Sequence, residues 1–261
     1  LDKQTETQPV WGLGEATDAD ILAELAASAD VSASEIRGYD VVVADSARGA
    51  VFGKDSAFFA SGRLDDLASV HAGVVALEAQ EPAPGAPIAV LAAFDHEELG
   101  SESRSGAAGP FLEDVLERLY AGLGADGSAR RQAYASSWCL SSDVGHSVHP
   151  NYAAKHDPVV QPVLGSGPIL KINANQRYAT DAIGTASWRT WCERAGVATQ
   201  EFVSNNSVPC GSTIGPITAT RLGIRTVDVG IPILSMHSAR ELAGVSDLHD
   251  LARTAQSFFA G

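Results

Sequence analysis

"LAAFDHEELGSESRSGAAG", Leu91–Gly109, runs a strand-length apolar stretch straight into a knot of acid. Asp95, Glu97 and Glu98 fall within four positions, His96 sits among them, and a glycine and small polar residues follow at once. Taken back to Ile88, the run reads "IAVLAAF", a short continuous apolar segment of the kind that predicts a buried strand. Buried strands belong to sheets covered on both faces. In such sheets the polar residues beyond the carboxyl ends of the strands are the usual place for chemistry. The acid knot is therefore either a solvated loop or a set of groups aimed at a metal ion or a substrate.

The rest of the chain alternates in the same way. Asp18–Ala29 predicts a short amphipathic helix with an acidic cap. "YDVVVAD", Tyr39–Asp45, predicts a strand, and Arg48–Gly53 a hairpin turn. Ala57–Ala79 reads as a strand end entering a helix, with Leu67, Val70, Val74 and Leu77 at helical spacing. Phe111–Tyr120 is a periodic helix, and Asp181–Gly196 a helix closed by glycine. "ASSWCLSSD", "PILKIN", "QEFVSNNS" and "RTVDVGIPI" predict strands, "GSTIGPITATRLGI" opens like a helix, and Val245–Phe259 closes the chain with another. This order predicts an α/β fold: a three-layer α/β/α sandwich around a mixed, mostly parallel and largely continuous sheet.

Composition narrows the partners. With 45% apolar residues in 261, the chain can bury a substantial core. A net charge of -14 argues against nucleic-acid and anionic-membrane partners, both of which call for basic patches. No apolar run approaches the roughly 20 residues that cross a bilayer, and the first residues lack the shape of a signal peptide. Three cysteines, Cys139, Cys192 and Cys210, are odd in number and widely spaced, which favours reduced thiols in a cytoplasmic protein over disulfides or a thiolate zinc site.

Five stretches share one pattern, an apolar segment ending in charged or imidazole side chains. They carry Asp65 and Asp66; Glu97 and Glu98; Asp143, His146 and His149; Lys171; and His237 and Glu241. Singly each is weak. An aspartate at a helix start, such as Asp66, is often an N-cap, a lone buried histidine is usually a satisfied core residue, and Asp228 within "TVDVG" reads as structural, bonded to a backbone amide or an arginine. Together they are what a divalent metal requires, carboxylate and imidazole donors gathered from several strands. A two-metal hydrolytic site needs one carboxylate between the metals, further ligands for each, and a free base. Adjacent Glu97 and Glu98 can divide ligand and base between them.

In "RLDDL" (Arg63–Leu67), "FDHEELGSES" (Phe94–Ser103), "SSDVGHSVHPNY" (Ser141–Tyr152), "LKINANQRYAT" (Leu170–Thr180), "CGSTIGPI" (Cys210–Ile217) and "SMHSARE" (Ser235–Glu241) the chain resembles the aspartyl aminopeptidase family (M18) of the dinuclear zinc peptidases. The motifs are co-linear and cover almost the whole chain. The resemblance implies a metal-dependent aminopeptidase acting on the N-terminal residue of peptides, with acidic residues favoured. It implies two zinc ions in a complete site, with cobalt or manganese able to replace them. Asp65 would bridge the metals, Glu98 and His237 would complete one, and Asp143 would bind the other. Glu97 would be the general base and His146 the oxyanion partner, with Lys171 and His149 on the substrate side. The complete protein would be a homo-oligomer, as large as a dodecamer.

The sequence departs from that pattern at three points. The family takes one more histidine ligand from a segment upstream of anything present, so residues 1–15 read as the end of a dimerisation domain or a linker. Residues 16–261 then read as a catalytic domain lacking its first segment, within a longer native chain. The family's Arg-x-Asp before the cysteine is Asn205-Asn206-Ser207, and His96 stands for an asparagine. Two other readings remain at this stage: an inactive assembly subunit of the same fold, which the first two departures favour, and a related zinc deacylase or carboxypeptidase.

Overall fold

The computed structural model describes residues 2–15, 20–81 and 83–261. The chain divides into two compact units, Leu1–Ser46 and Ala47–Gly261. In the first, helix α1 (Ile21–Ala29) begins at Asp20, whose carboxylate accepts the N–H groups of Leu22 and Ala23. That satisfies donors the first turn cannot pair internally. The expected cap region at Asp18 lies outside the described residues. Tyr39–Asp45 is not the strand its composition predicts: it makes no strand pairing among the described residues, and Val42 and Val43 are exposed. Strand preference is largely a preference for packing on a neighbouring strand, and the described part of this unit offers none.

The second unit opens with a hairpin of β1 (Ala50–Phe52) and β2 (Phe58–Ser61). Its turn lies after Phe52, later than expected, because Gly53 adopts φ +81 against the Phe58 ring. After it come α2 (Leu64–Glu78), α3 (Phe111–Gly122), α4 (Gly127–Ser136), β3 (Trp138–Ser142), β4 (Gly145–His146), β5 (Ile169–Ile172), α5 (Ala182–Ala195) and β6 (Gln200–Val203). The unit ends with α6 (Gly215–Leu222), β7 (Arg225–Gly230), β8 (Pro232–Leu234), β9 (Glu241–Gly244) and α7 (Val245–Phe259). Helix α4 was not anticipated. Its signal is Asp126, which caps it by accepting the Ala129 N–H at 2.7 Å.

Strands pair in the orders β1-β2-β9-β8-β4 and β3-β7-β5-β6. Pairs β3–β7, β4–β8 and β5–β6 are parallel, and the remainder antiparallel. The two sheets are joined. Asp143 N–H donates to Val229 O at 3.0 Å, Gly145 N–H to Ile231 O at 2.9 Å and Ser147 N–H to Ile233 O at 2.8 Å, so the β3–β7 ladder continues into β4–β8. The result is the largely continuous sheet of the α/β class, mixed rather than mostly parallel, since four of the seven strand pairs among the described residues are antiparallel.

Helices cover both of its faces. A Cβ on Gly184 of α5 would meet Val227, and one on Gly215 of α6 would meet the Asp228 carboxylate. Adjacent residues of a strand point to opposite faces, so α5 and α6 lie on opposite sides of β7. The core gathers Trp188, Trp191, Leu251, Val227, Val229 and Ile233.

"IAVLAAF" departs from expectation. Among the described residues Ile88–Phe94 makes no strand pairing, and Ile88 and Val90 are 60% and 44% exposed. The segment touches α2, where Leu91 lies against Gly73, but a cavity of about 1140 Å³ bounded by Trp138 and Leu140 separates it from the free edge of β3. An apolar run specifies that a segment wants cover, not which edge will pair with it.

Gly230 has a positional reason. A Cβ there would stand 1.8 Å from the backbone oxygen of Asp143, the residue where β3 opens into the site. Gly230→Ala is expected to destabilise the protein by about 1–3 kcal/mol or more, as overpacking does. It should also displace Asp143. Chemical denaturation and metal titration of the variant measure the two effects.

Candidate metal centre

Asp65 follows β2 by way of Arg63, which adopts φ +59, and Leu64, which is buried. The peptide joining Asp65 to Asp66 is cis, and neither residue has helical dihedrals, so the regular turns of α2 begin after them. Glu97 and Glu98 lie in a single 3-10 turn entered through His96 at φ +63. Asp143 is fixed by the ladder at the end of β3. His237 sits at φ +64 in the bend between β8 and β9.

These segments converge. His237 Nε2 lies 3.1 Å from Asp65 Oδ2 and 3.3 Å from Glu98 Oε2. Asp65, Glu98 and His237 can each offer one donor atom within 4.8 Å of the others, and Asp65, Asp66 and Asp143 form a second such group. The groups share Asp65.

The electrostatics are those of crowded carboxylates. Burial first, then Asp143, Glu98 and Glu241, push the Asp65 carboxyl up to about 8. Burial, then Asp143, holds Asp66 well above the usual carboxylate range, and its Oδ1 is buried without a hydrogen-bond partner among the described residues. Glu97 is raised by burial, then by Asp143 and Glu98. His146 is lowered chiefly by desolvation, then by His156 and His237. Carboxylates set against one another bind a proton more tightly, and a divalent cation relieves the same repulsion. The nitrogen and oxygen donors, the shared carboxylate and the orphaned Asp66 oxygen all fit such an ion.

The remaining candidates fall in different places. Lys171, only 2% exposed, donates to Asp143 Oδ2 at 2.6 Å and to Val144 O at 2.8 Å, with its ammonium 5.5 Å from the centre of the Tyr178 ring. His149 Nδ1 accepts the Asn151 N–H at 3.1 Å, and no described contact joins its ring to Asp65, Asp143 or His237. Asn205 donates to Ala154 O and His156 O and accepts from Ser207, tying its turn to the loop after β4. Asp228 is structural, as its setting suggested: it accepts from Ala179 N–H at 2.6 Å and Thr213 Oγ1 at 2.5 Å. Sequence reasoning gave Glu241 no role, yet it is 2% exposed and bonded to both Asp65 and His237. The sequence places it with His237 in one charged stretch and one motif, without a part of its own.

A family profile described as aminopeptidase I zinc metalloprotease (M18) matches residues 1–259. The chain is 52% identical over 264 residues to a probable M18 family aminopeptidase 2 of Streptomyces avermitilis, covering 100% of this chain and 61% of that protein. Among solved structures, that of the Ape4 and Nbr1 complex matches with a TM-score of 0.87 at 35% identity, covering 92% of this chain and 47% of that one. The mApe1 dodecamer of Saccharomyces cerevisiae matches with a TM-score of 0.78 at 31% identity, covering 92% of this chain and 54% of that one. The chain thus spans about 60% of the length of the curated relatives it matches.

Proposed function

The chain belongs to the M18 aminopeptidase I zinc metalloproteases, and from that membership we propose that it carries most of the catalytic centre of a metal-dependent aminopeptidase. The reaction would be hydrolysis of the N-terminal peptide bond of peptides. The observation that carries this reading is the sharing of Asp65 by two donor groups, the geometry a two-metal site requires. Asp65 would lie between two zinc positions, with Glu98 and His237 at one and Asp143 at the other. Zinc, when bound, supplies Lewis acidity toward the scissile carbonyl.

The chain's own groups do the rest. Glu97, whose proton affinity is raised by burial and by neighbouring acids, takes a proton from the attacking water and returns it to the leaving amine. His146 donates to the oxygen that gains charge. Lys171 and His149 belong to the substrate side by resemblance. Lys171 gives two of its three N–H donors to Asp143 and Val144 O, which leaves one for an acidic side chain. A cytoplasmic homo-oligomer completes the proposal; the dodecameric yeast neighbour supports its assembly. Among the described residues no helix is long and apolar enough to cross a membrane.

The test is hydrolysis by the complete protein with metal content measured alongside. Peptides with a free N-terminus should be cleaved, N-acetylated ones spared, and activity lost on chelation and restored by zinc. Cleavage of N-acyl amino acids or of C-terminal residues would select the deacylase or carboxypeptidase reading. Metal uptake without hydrolysis would select the assembly subunit.

A further inference from the structure

We propose that Glu241 is a positioning residue that holds Asp65 and His237 in register for the metal by binding the backbone of both. This inference rests on the metal-centre reading above. Glu241 begins β9 and pairs with Ser61, the last residue of β2. One carboxylate oxygen, Oε2, accepts the Asp65 N–H at 2.8 Å, and the other, Oε1, accepts the His237 N–H at 2.7 Å. The two N–H groups belong to segments far apart in sequence, and each carries a donor of the same cluster.

Two features make this more than an ordinary buried hydrogen bond. First, His237 occupies the left-handed region at φ +64, and residues off glycine stay there only where the surroundings over-determine them. The Glu241 contact fixes that N–H and so the direction in which the imidazole leaves the chain. Second, the choice of a carboxylate is chemically specific. Glu241 is buried beside Asp65, where another negative charge is unfavourable and adds to the repulsion on Asp65. A glutamine of the same size would avoid that charge. It has only one acceptor oxygen, however, and its amide N–H₂ would face a backbone N–H donor. Only a carboxylate accepts on both arms. Both oxygens of Glu241 point to backbone, so its part is to orient ligands.

Glu241→Gln in the complete protein should weaken binding at the Asp65–Glu98–His237 position about 10–100-fold, the usual effect of losing a partner that orients a metal ligand. Zinc affinity is read by competition with a chromophoric chelator, and the visible absorption of the cobalt-substituted protein reports coordination geometry. The band positions should shift. Glu241→Asp keeps both acceptors and the charge but is one methylene too short to hold both N–H groups, so it should fall between wild type and Glu241→Gln. It carries the test if Glu241→Gln does not fold. A purely structural role would lower the unfolding midpoint and leave affinity and the cobalt spectrum of the folded protein unchanged. That result in the folded variants would overturn the proposal. If wild-type protein itself binds no metal, the metal-centre reading fails instead.

Discussion

Replacing Asp65 with asparagine is expected to empty both metal positions at once, because it removes the one carboxylate common to both donor groups. An amide is nearly the same size and shape but is uncharged, and a poorer ligand for a divalent cation. Hydrolysis by the complete protein should fall by more than the ~10⁴-fold at the upper end of what loss of a general base causes, since the Lewis acid goes with the ligand. The chelated variant should nevertheless be at least as stable as chelated wild type. Its neutral side chain no longer opposes Asp143, Glu98 and Glu241 in a buried setting. Metal analysis and thermal unfolding with and without chelator separate the outcomes. Retention of one tightly held metal by Asp65→Asn would show that the two groups do not depend on a common carboxylate.

Glu97→Gln is expected to lower kcat about 10²–10⁴-fold while metal content stays near that of the wild type. The variant keeps the size and one oxygen but cannot take up the proton. Glu98→Gln should instead reduce metal occupancy, because Glu98 Oε2 stands in the Asp65–His237 group and Glu97 does not. Metal stoichiometry measured beside steady-state kinetics checks both. If Glu97→Gln strips the metal and Glu98→Gln leaves it bound, the roles are exchanged. If neither change affects hydrolysis, the acid knot is a solvated loop.

Much of this was legible in order along the chain. Helix α5 runs within the expected Asp181–Gly196 and stops at Gly196, φ +63, while the structure adds Asp181 as its cap, accepting the Gly184 N–H at 2.6 Å. Helix α7 spans Val245–Phe259 as expected, and β5, β6 and β7 fall within their predicted segments. These signals are local. A cap, a left-handed glycine or an apolar period acts within a few residues and survives in whatever tertiary setting the segment meets. Asp65, Glu98, Asp143 and His237, which the fold brings into two donor groups, also stand out in the chain, because metal chemistry restricts the residue types that can serve.

What the sequence alone could not decide was pairing and proximity. Tyr39–Asp45 and Ile88–Phe94 have the composition of strands, yet among the described residues neither enters a ladder, because a strand exists only through an edge offered by another segment. The sharing of Asp65 between Glu98–His237 and Asp66–Asp143 depends on β2, β3, the Glu97–Leu99 turn and the β8–β9 bend arriving together, and no local pattern records distances between them. The resemblance sets Lys171 on the substrate side, and only the fold pairs it with Asp143. Glu241 reads in the chain as one more acid beside a histidine. It accepts the N–H groups of both Asp65 and His237 because the antiparallel β2–β9 register sets it against the end of the strand that leads to Asp65. Local propensity is encoded in neighbouring residues, whereas a site assembled from distant strands takes its geometry from long-range register.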